Sequence, residues 1–240
     1  ENGWNSGGTQ FTGSQGFQMA SKSGNKLIFN GRFRITGMTI NIYDYVNNGQ
    51  GGSRWNLVAN PFPAYLGGNN DTTAGNSSLI DQADLHNSYG GIYGWKADGT
   101  GYTAYGQNYL GNHTPVYIAP GQGFFVASSL STGGVSFSET MIYDGVPANT
   151  DDFISGDILQ DMHEIKLRLF NSDELVRETK LFFNENMQLS LDTGFDMGNL
   201  NQNAAIGTRL LEDDNGINFE IQELPISAME NAVIPLVINQ

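Results

Sequence analysis

The sequence predicts an all-β protein built as two antiparallel β-sandwich domains, jelly-roll or immunoglobulin-like, with at most one or two short helices. Three observations predict it. Short runs alternate apolar and polar residues with period two, as half-buried strands do. Clusters of Gly, Asn, Asp and Pro separate those runs, and Gly supplies 31 of the 240 residues against an average of ~7%. The 14 Phe and 10 Tyr offer bulky apolar surface, and a chain with that much to bury does not stay disordered.

Taken in order, "KLIFNGRF" and "MTINIYDY" alternate cleanly, and "NNGQGGS" breaks the chain after them. "RWNLVANPFP" is a strand stopped by two prolines. Ser78 with Asp81 three residues on resembles a capping box, so a short helix is expected there, with Leu79, Ile80 and Ala83 on one side. "GGIYGWKADGTGYTAY" reads as a hairpin whose turn is Ala-Asp-Gly-Thr-Gly. "PVYIAPGQGFFVASS" is a strand, a Pro-Gly turn and a second strand, and "GGVSFSETMIYD" follows. "HEIKLRLFN" and "ETKLFFNE" alternate again, and "RLLEDDNGINFEIQEL" is a hairpin about Asp214-Asn215-Gly216.

A composition shift over 143–157, polar, acidic and bearing Pro and Gly, marks a boundary. It predicts a Gly- and aromatic-rich domain over 1–145, a linker over 146–157, and a smaller domain over 158–240. The first domain contains a repeat: "QGFQMAS" at 15–21 returns as "QGFFVAS" at 122–128. In each copy the apolar first and third positions, Phe17 and Met19 or Phe124 and Val126, are expected on one buried face. A turn and a partner strand ending on Phe29 or Phe137 are expected to complete each hairpin.

With 25 acidic against 11 basic residues the net charge is −14. Nucleic acid and anionic membrane surfaces are poor partners for such a chain. No apolar run reaches the ~18 residues of a membrane-spanning helix. Cysteine is absent, which removes disulfides and thiolate chemistry.

The series "WNLVANPFPAYL", "GGIYGWKADGTGYTAY", "YIAPGQGFFVAS" and "VSFSETM" resembles a segment of large surface and secreted proteins of Bacteroidetes. The match runs over 54–143, with Ala59 where that pattern has glycine and Phe62 where it has tyrosine. "IKLRLFN", "KLFFNEN", "TGFDMGNL" and "INFEIQELP" resemble the region that follows. The resemblance implies export by the type IX secretion system, directed by a C-terminal sorting domain beyond Gln240, and a secreted or cell-surface location. It implies no particular activity. The apolar run Val233–Ile238, interrupted by Pro235, is independently expected to need a further strand beside it.

No catalytic constellation stands out. His86, His113 and His163 lack metal-ligand spacing, and "TGSQG" lacks the first glycine of a nucleophile elbow. The acidic residues offer one calcium set, Asp71, Asp81 and Asp84 among Asn oxygens, and a second around Asp192 and Asp196. Tyr93, Trp95, Tyr102 and Tyr105 lie on the two arms of one hairpin. Their rings either pack a core or form a sugar-stacking face. Asp71-Thr72-Thr73 resembles the short O-glycosylation motif of exported Bacteroidetes proteins, with Thr72 the acceptor. The sequence thus points to a non-catalytic stalk or adhesive module, or to a carbohydrate-binding module beside a polysaccharide-active enzyme. Expected partners are the type IX machinery and surface glycans, with no cofactor beyond calcium.

Overall fold

The computed structural model describes residues 34–46, 52–68, 79–80, 82–95, 102–106, 116–143, 163–203 and 205–239. These are mostly strand, so the all-β class holds. The 146–157 linker, the first repeat copy at 15–21, and Asp71, Thr72, Asp81 and His113 lie outside the described residues.

Among the described residues the first part carries eight strands. They are β1 (Met38–Ile42), β2 (Trp55–Ala59), β3 (Leu66–Gly67), β4 (Ile92–Trp95), β5 (Tyr102–Tyr105), β6 (Tyr117–Ile118), β7 (Gly123–Ala127) and β8 (Gly133–Phe137). Strands β2, β7, β4 and β5 form one antiparallel sheet in that order, and β1–β8 and β3–β6 are separate antiparallel pairs. One face of the four-stranded sheet contributes Val58, Ile92, Phe124 and Val126 to a core completed by Ile42, Leu66, Ile118, Val135 and Phe137. Phe124 and Val126 are both buried, as the alternation in "QGFFVAS" predicts. Before them, Gln122 N–H bonds the carbonyl of Ala119 across Pro120-Gly121, and Gly121 has φ 72°. Proline then glycine at the two central positions, with glycine alone tolerating that φ, makes the turn the sequence predicts.

The second copy of the repeat is not a hairpin. Strand β8 pairs with β1 rather than β7. The connector leaves the β7 sheet with its polar groups bonded on the way: Ser128 N–H to the carbonyl of Arg54, and Ser128 Oγ to the carbonyl of Leu130. Phe124 and Phe137 therefore meet face to edge across the core, with centroids 6.5 Å apart. The expected helix near residue 78 is also absent among the described residues, where 79–80 are bends and 83–84 a turn. Gln82 explains this: its side-chain amide brackets the backbone of Ser136 on β8 at 2.7 and 2.9 Å. Leu79 and Ile80 go into the core without helical spacing.

The second part carries β9 (His163–Asn171), β10 (Glu174–Asn184), β11 (Met197–Gly198), β12 (Ile206–Thr208), β13 (Phe219–Pro225), a helical turn α1 (Ala228–Asn231) and β14 (Leu236–Ile238). The sheet order is β14-β12-β13-β10-β9, with β11 also on β13. Strands β9 and β10, the two runs expected to alternate, pair antiparallel, whereas the hairpin expected about Asp214-Asn215-Gly216 is held to the single pair Thr208–Phe219 of β12 and β13. The β10–β13 pair is parallel, which corrects the purely antiparallel expectation. Parallel neighbours need a long crossover, and residues 185–218 supply it, carrying β11 and β12 on the way. Leu181, Phe183 and Leu224 pack with Ala228 into a second core. Strand β14 ends the order and leaves Leu236 and Ile238 half exposed. No helix among the described residues is long and apolar enough to cross a membrane, which says nothing of β-barrels.

Candidate functional site

The β4–β5 hairpin forms in the predicted place, with Tyr93 opposite Ala104, Trp95 opposite Tyr102 and Ile92 opposite Tyr105. Directly paired residues share a face, and faces alternate along each strand. Tyr93, Trp95 and Tyr102 therefore share one face, and Tyr105 takes the other, where it packs on the first core. The four rings do not form one surface.

The shared face is covered by the second part of the chain. Tyr93 is fully buried, and its hydroxyl donates to the carbonyl of Gly198 at 2.8 Å. The hydroxyl of Tyr102 accepts from the backbone N–H of Asn201 at 2.8 Å. The Arg177 guanidinium lies 4.3 Å over the Tyr102 ring and reaches Glu220 at 3.3 Å. Trp55 meets Tyr93 edge-on with centroids 4.6 Å apart. Met197, Leu200, Ile217 and Ile221 complete this third cluster, which draws on both parts of the chain. Burial pushes the Tyr93 phenol well above its ordinary range, with Glu220 adding to it. Burial also raises Tyr102, against the opposing pull of Arg177. Both phenols stay neutral and serve as hydrogen-bonding groups. Tyr93 and Tyr102 are thus withdrawn from sugar stacking, because another layer of protein already occupies that face. Trp95, at the strand end, is 61% exposed.

Two glycines make the close approach possible. A Cβ on Gly91 would strike the Met197 side chain and lie 2.7 Å from the carbonyl of Tyr105. One on Gly106 would lie 2.6 Å from the carbonyl of Gly194. The segment Asp192–Gly198, "DTGFDMG", thus enters a slot that glycine leaves open. The Gly residues flanking the aromatic hairpin were the sequence signal for that approach. Arg177 and Met197 carried none, since each reads as an ordinary strand residue.

The acidic candidates serve the backbone. Asp84 accepts from the N–H of Gly134 at 2.8 Å, and its own carbonyl accepts from Ser129. Asp192 accepts from Gln188 N–H at 2.7 Å. Asp196, fully buried, accepts from the N–H of Asp192 at 2.7 Å and of Glu223 at 2.8 Å. Among the described residues no three His, Asp or Glu side chains converge as a metal site. Asp192 and Asp196, the second calcium pair, close a turn onto β13. Burial pushes Asp196 up to about 8, above what its two N–H donors offset, and Asp192 and Glu223 add to the rise.

His86 sits beside this joint. It contacts the Arg54 guanidinium and the Tyr89 ring. Burial and then Arg54 lower its pKa, so it stays neutral at pH 7. His163 opens β9, remote in sequence from that cluster, and the two form no pair with a common partner among the described bonds.

Protein-family models, curated proteins and solved structures yield no match to this chain.

Proposed function

We propose that this chain is a non-catalytic, rigid β module of an exported bacterial cell-surface or secreted protein, acting as stalk or adhesive region and carried out by the type IX system. In this reading β2-β7-β4-β5 and the two strand pairs against it make one sandwich, and the mixed sheet with its crossover covers a second core. The observation that supports it is the aromatic joint: Tyr93 and Tyr102 are spent on holding two β regions together. A module that transmits position or force needs such a joint, whereas an enzyme needs an open cleft with convergent polar groups. In cells, the parent protein is expected at the surface or in the medium, and to be held in the periplasm when the type IX channel is deleted. A parent protein that stays in the cytosol, or a purified chain that cleaves polysaccharide, contradicts the proposal.

The exposure of Trp95 favours one second reading, a carbohydrate-binding module. It predicts retention on insoluble polysaccharides that Trp95→Ala abolishes. That substitution removes little buried area, so stability is expected to change by no more than about 0.5 kcal/mol. Equal retention of both proteins in a pull-down, or none of either, removes the sugar reading and leaves the stalk.

A further inference from the structure

Strand β9 is an edge that nothing blunts. It ends the order β14-β12-β13-β10-β9, and among the described residues no strand pairs its outer side. Native chains guard such edges with short strands, prolines, bulges or charges, because an open edge pairs with another chain. The opposite edge, β14, fits that rule: it is three residues long and follows Pro235. Strand β9 does not. It runs for nine residues, "HEIKLRLFN", without Pro or Gly. Its own register is continuous, since the shift between Leu175 and Arg177 falls on β10. Ile165, Leu167 and Leu169 pair with Leu181, Thr179 and Arg177 of β10, and so share the face on which Leu181 enters the second core. Ile165 is 44% exposed there, and the two leucines are half-buried. Glu164, Lys166 and Arg168 alternate onto the other face. Basic side chains on an edge repel a visiting strand only while unmatched. Here Lys166 is met by Glu164 at 3.1 Å and Arg168 by Glu178 at 2.9 Å.

Charge selects the occupant. Through 163–180 four bases, Lys166, Arg168, Arg177 and Lys180, balance four acids, Glu164, Asp173, Glu174 and Glu178. The net charge of −14 therefore lies wholly outside this hairpin. Two copies repel each other over the rest of the chain, and the hairpin is a neutral stretch on which they can meet. The alternation of signs also fits a particular partner. Read backwards, Glu-x-Lys becomes Lys-x-Glu, so the antiparallel complement of this strand is the strand itself. We propose that β9 is a self-pairing edge: two copies of the chain join β9 to β9, antiparallel about a two-fold axis at Ile165, and continue one sheet through both. In that register Glu164 lies opposite the partner's Lys166, Leu167 opposite the partner's His163, and Ile165 opposite the partner's Ile165. No like charges oppose one another within 163–167. Moving the axis to Lys166 would set lysine against lysine, which is disfavoured. Paired residues share a face, so the apolar sides of both strands form one band. A contact of this isologous kind closes at two subunits.

Sedimentation of the whole chain from about 1 μM to about 1 mM tests this. The wild-type chain is expected to show a monomer–dimer equilibrium in that range. Ile165→Lys sets like charges on the axis and should weaken the dimer at least about tenfold. A wild-type chain that stays monomeric throughout overturns the proposal, and that result includes a β9 reserved for a strand of another protein. A dimer that Ile165→Lys leaves unchanged overturns it too, because another surface then holds the copies together. A second readout does not depend on that variant folding. The chain has no cysteine, and directly opposed strand residues lie within disulfide reach. Mild oxidation of Ile165→Cys should therefore link two chains, whereas Leu236→Cys, on the opposite edge, should stay unlinked. Equal linking at both positions, or none at 165, overturns the proposal.

Discussion

Replacing Tyr93 by alanine is expected to lower the unfolding free energy by roughly 3–5 kcal/mol, the range for deleting a large ring from a full core. Tyr93 is buried with Trp55 edge-on to it, Tyr102 beside it and Met197 in the same cluster. Deletion leaves a cavity between two regions that are each anchored by their own cores, so neither can collapse freely to fill it. It also strands the carbonyl of Gly198, which accepts the Tyr93 hydroxyl proton. Tyr93→Phe separates the two parts. It keeps the ring and loses the hydrogen bond, and should cost about 1–2 kcal/mol. Urea unfolding followed by fluorescence measures both. A loss below about 1 kcal/mol for the alanine variant would show that the second region does not cover this face.

Phe124→Ala should cost a similar amount, again roughly 3–5 kcal/mol, but for a separate reason. Phe124 belongs to the core of the first part and meets the Phe137 ring of β8 edge-on. Its loss opens a hole in a core that Val58, Ile92, Val126 and Val135 also line. The sequence repeat predicts the same cost for Phe17→Ala. A Phe17 variant as stable as the parent would break the equivalence of the copies without touching the argument for Phe124.

Local features were legible in the sequence where a short-range pattern dictated them. Period-two alternation located β1, β7, β9 and β10, the two prolines marked the end of β2, Pro120-Gly121 located its turn, and the aromatic hairpin lies where its residues place it. Pairing was legible only where the partner was next in the chain. Strand β8 leaves its neighbour for β1, and β13 lies parallel to β10. Those choices are made by contacts distant in sequence, the Phe124–Phe137 pair among them, and no local pattern encodes them. The candidate site shows the same division. Alternation put Tyr93 and Trp95 on one face, but the same pattern serves a sugar surface and a buried joint equally. What decided between them was Met197 and Asn201, roughly a hundred residues away along the chain. The acidic candidates show a related limit of the letters alone. An aspartate that accepts backbone N–H groups and one that binds calcium have the same letter, and only geometry shows that Asp84 and Asp196 take the N–H groups of Gly134, Asp192 and Glu223.

The aromatic joint is the central claim, and native-state hydrogen exchange in rising urea tests it most directly. The slowest amides of β7 in the first part, such as Val126, and of β10 in the second, such as Leu181, should lose protection at one urea concentration, because each region buries its face on the other. In Tyr93→Ala the two sets should separate, with one region opening before the other. Two distinct openings already present in the wild-type chain would show that the regions are merely adjacent, and would contradict the account.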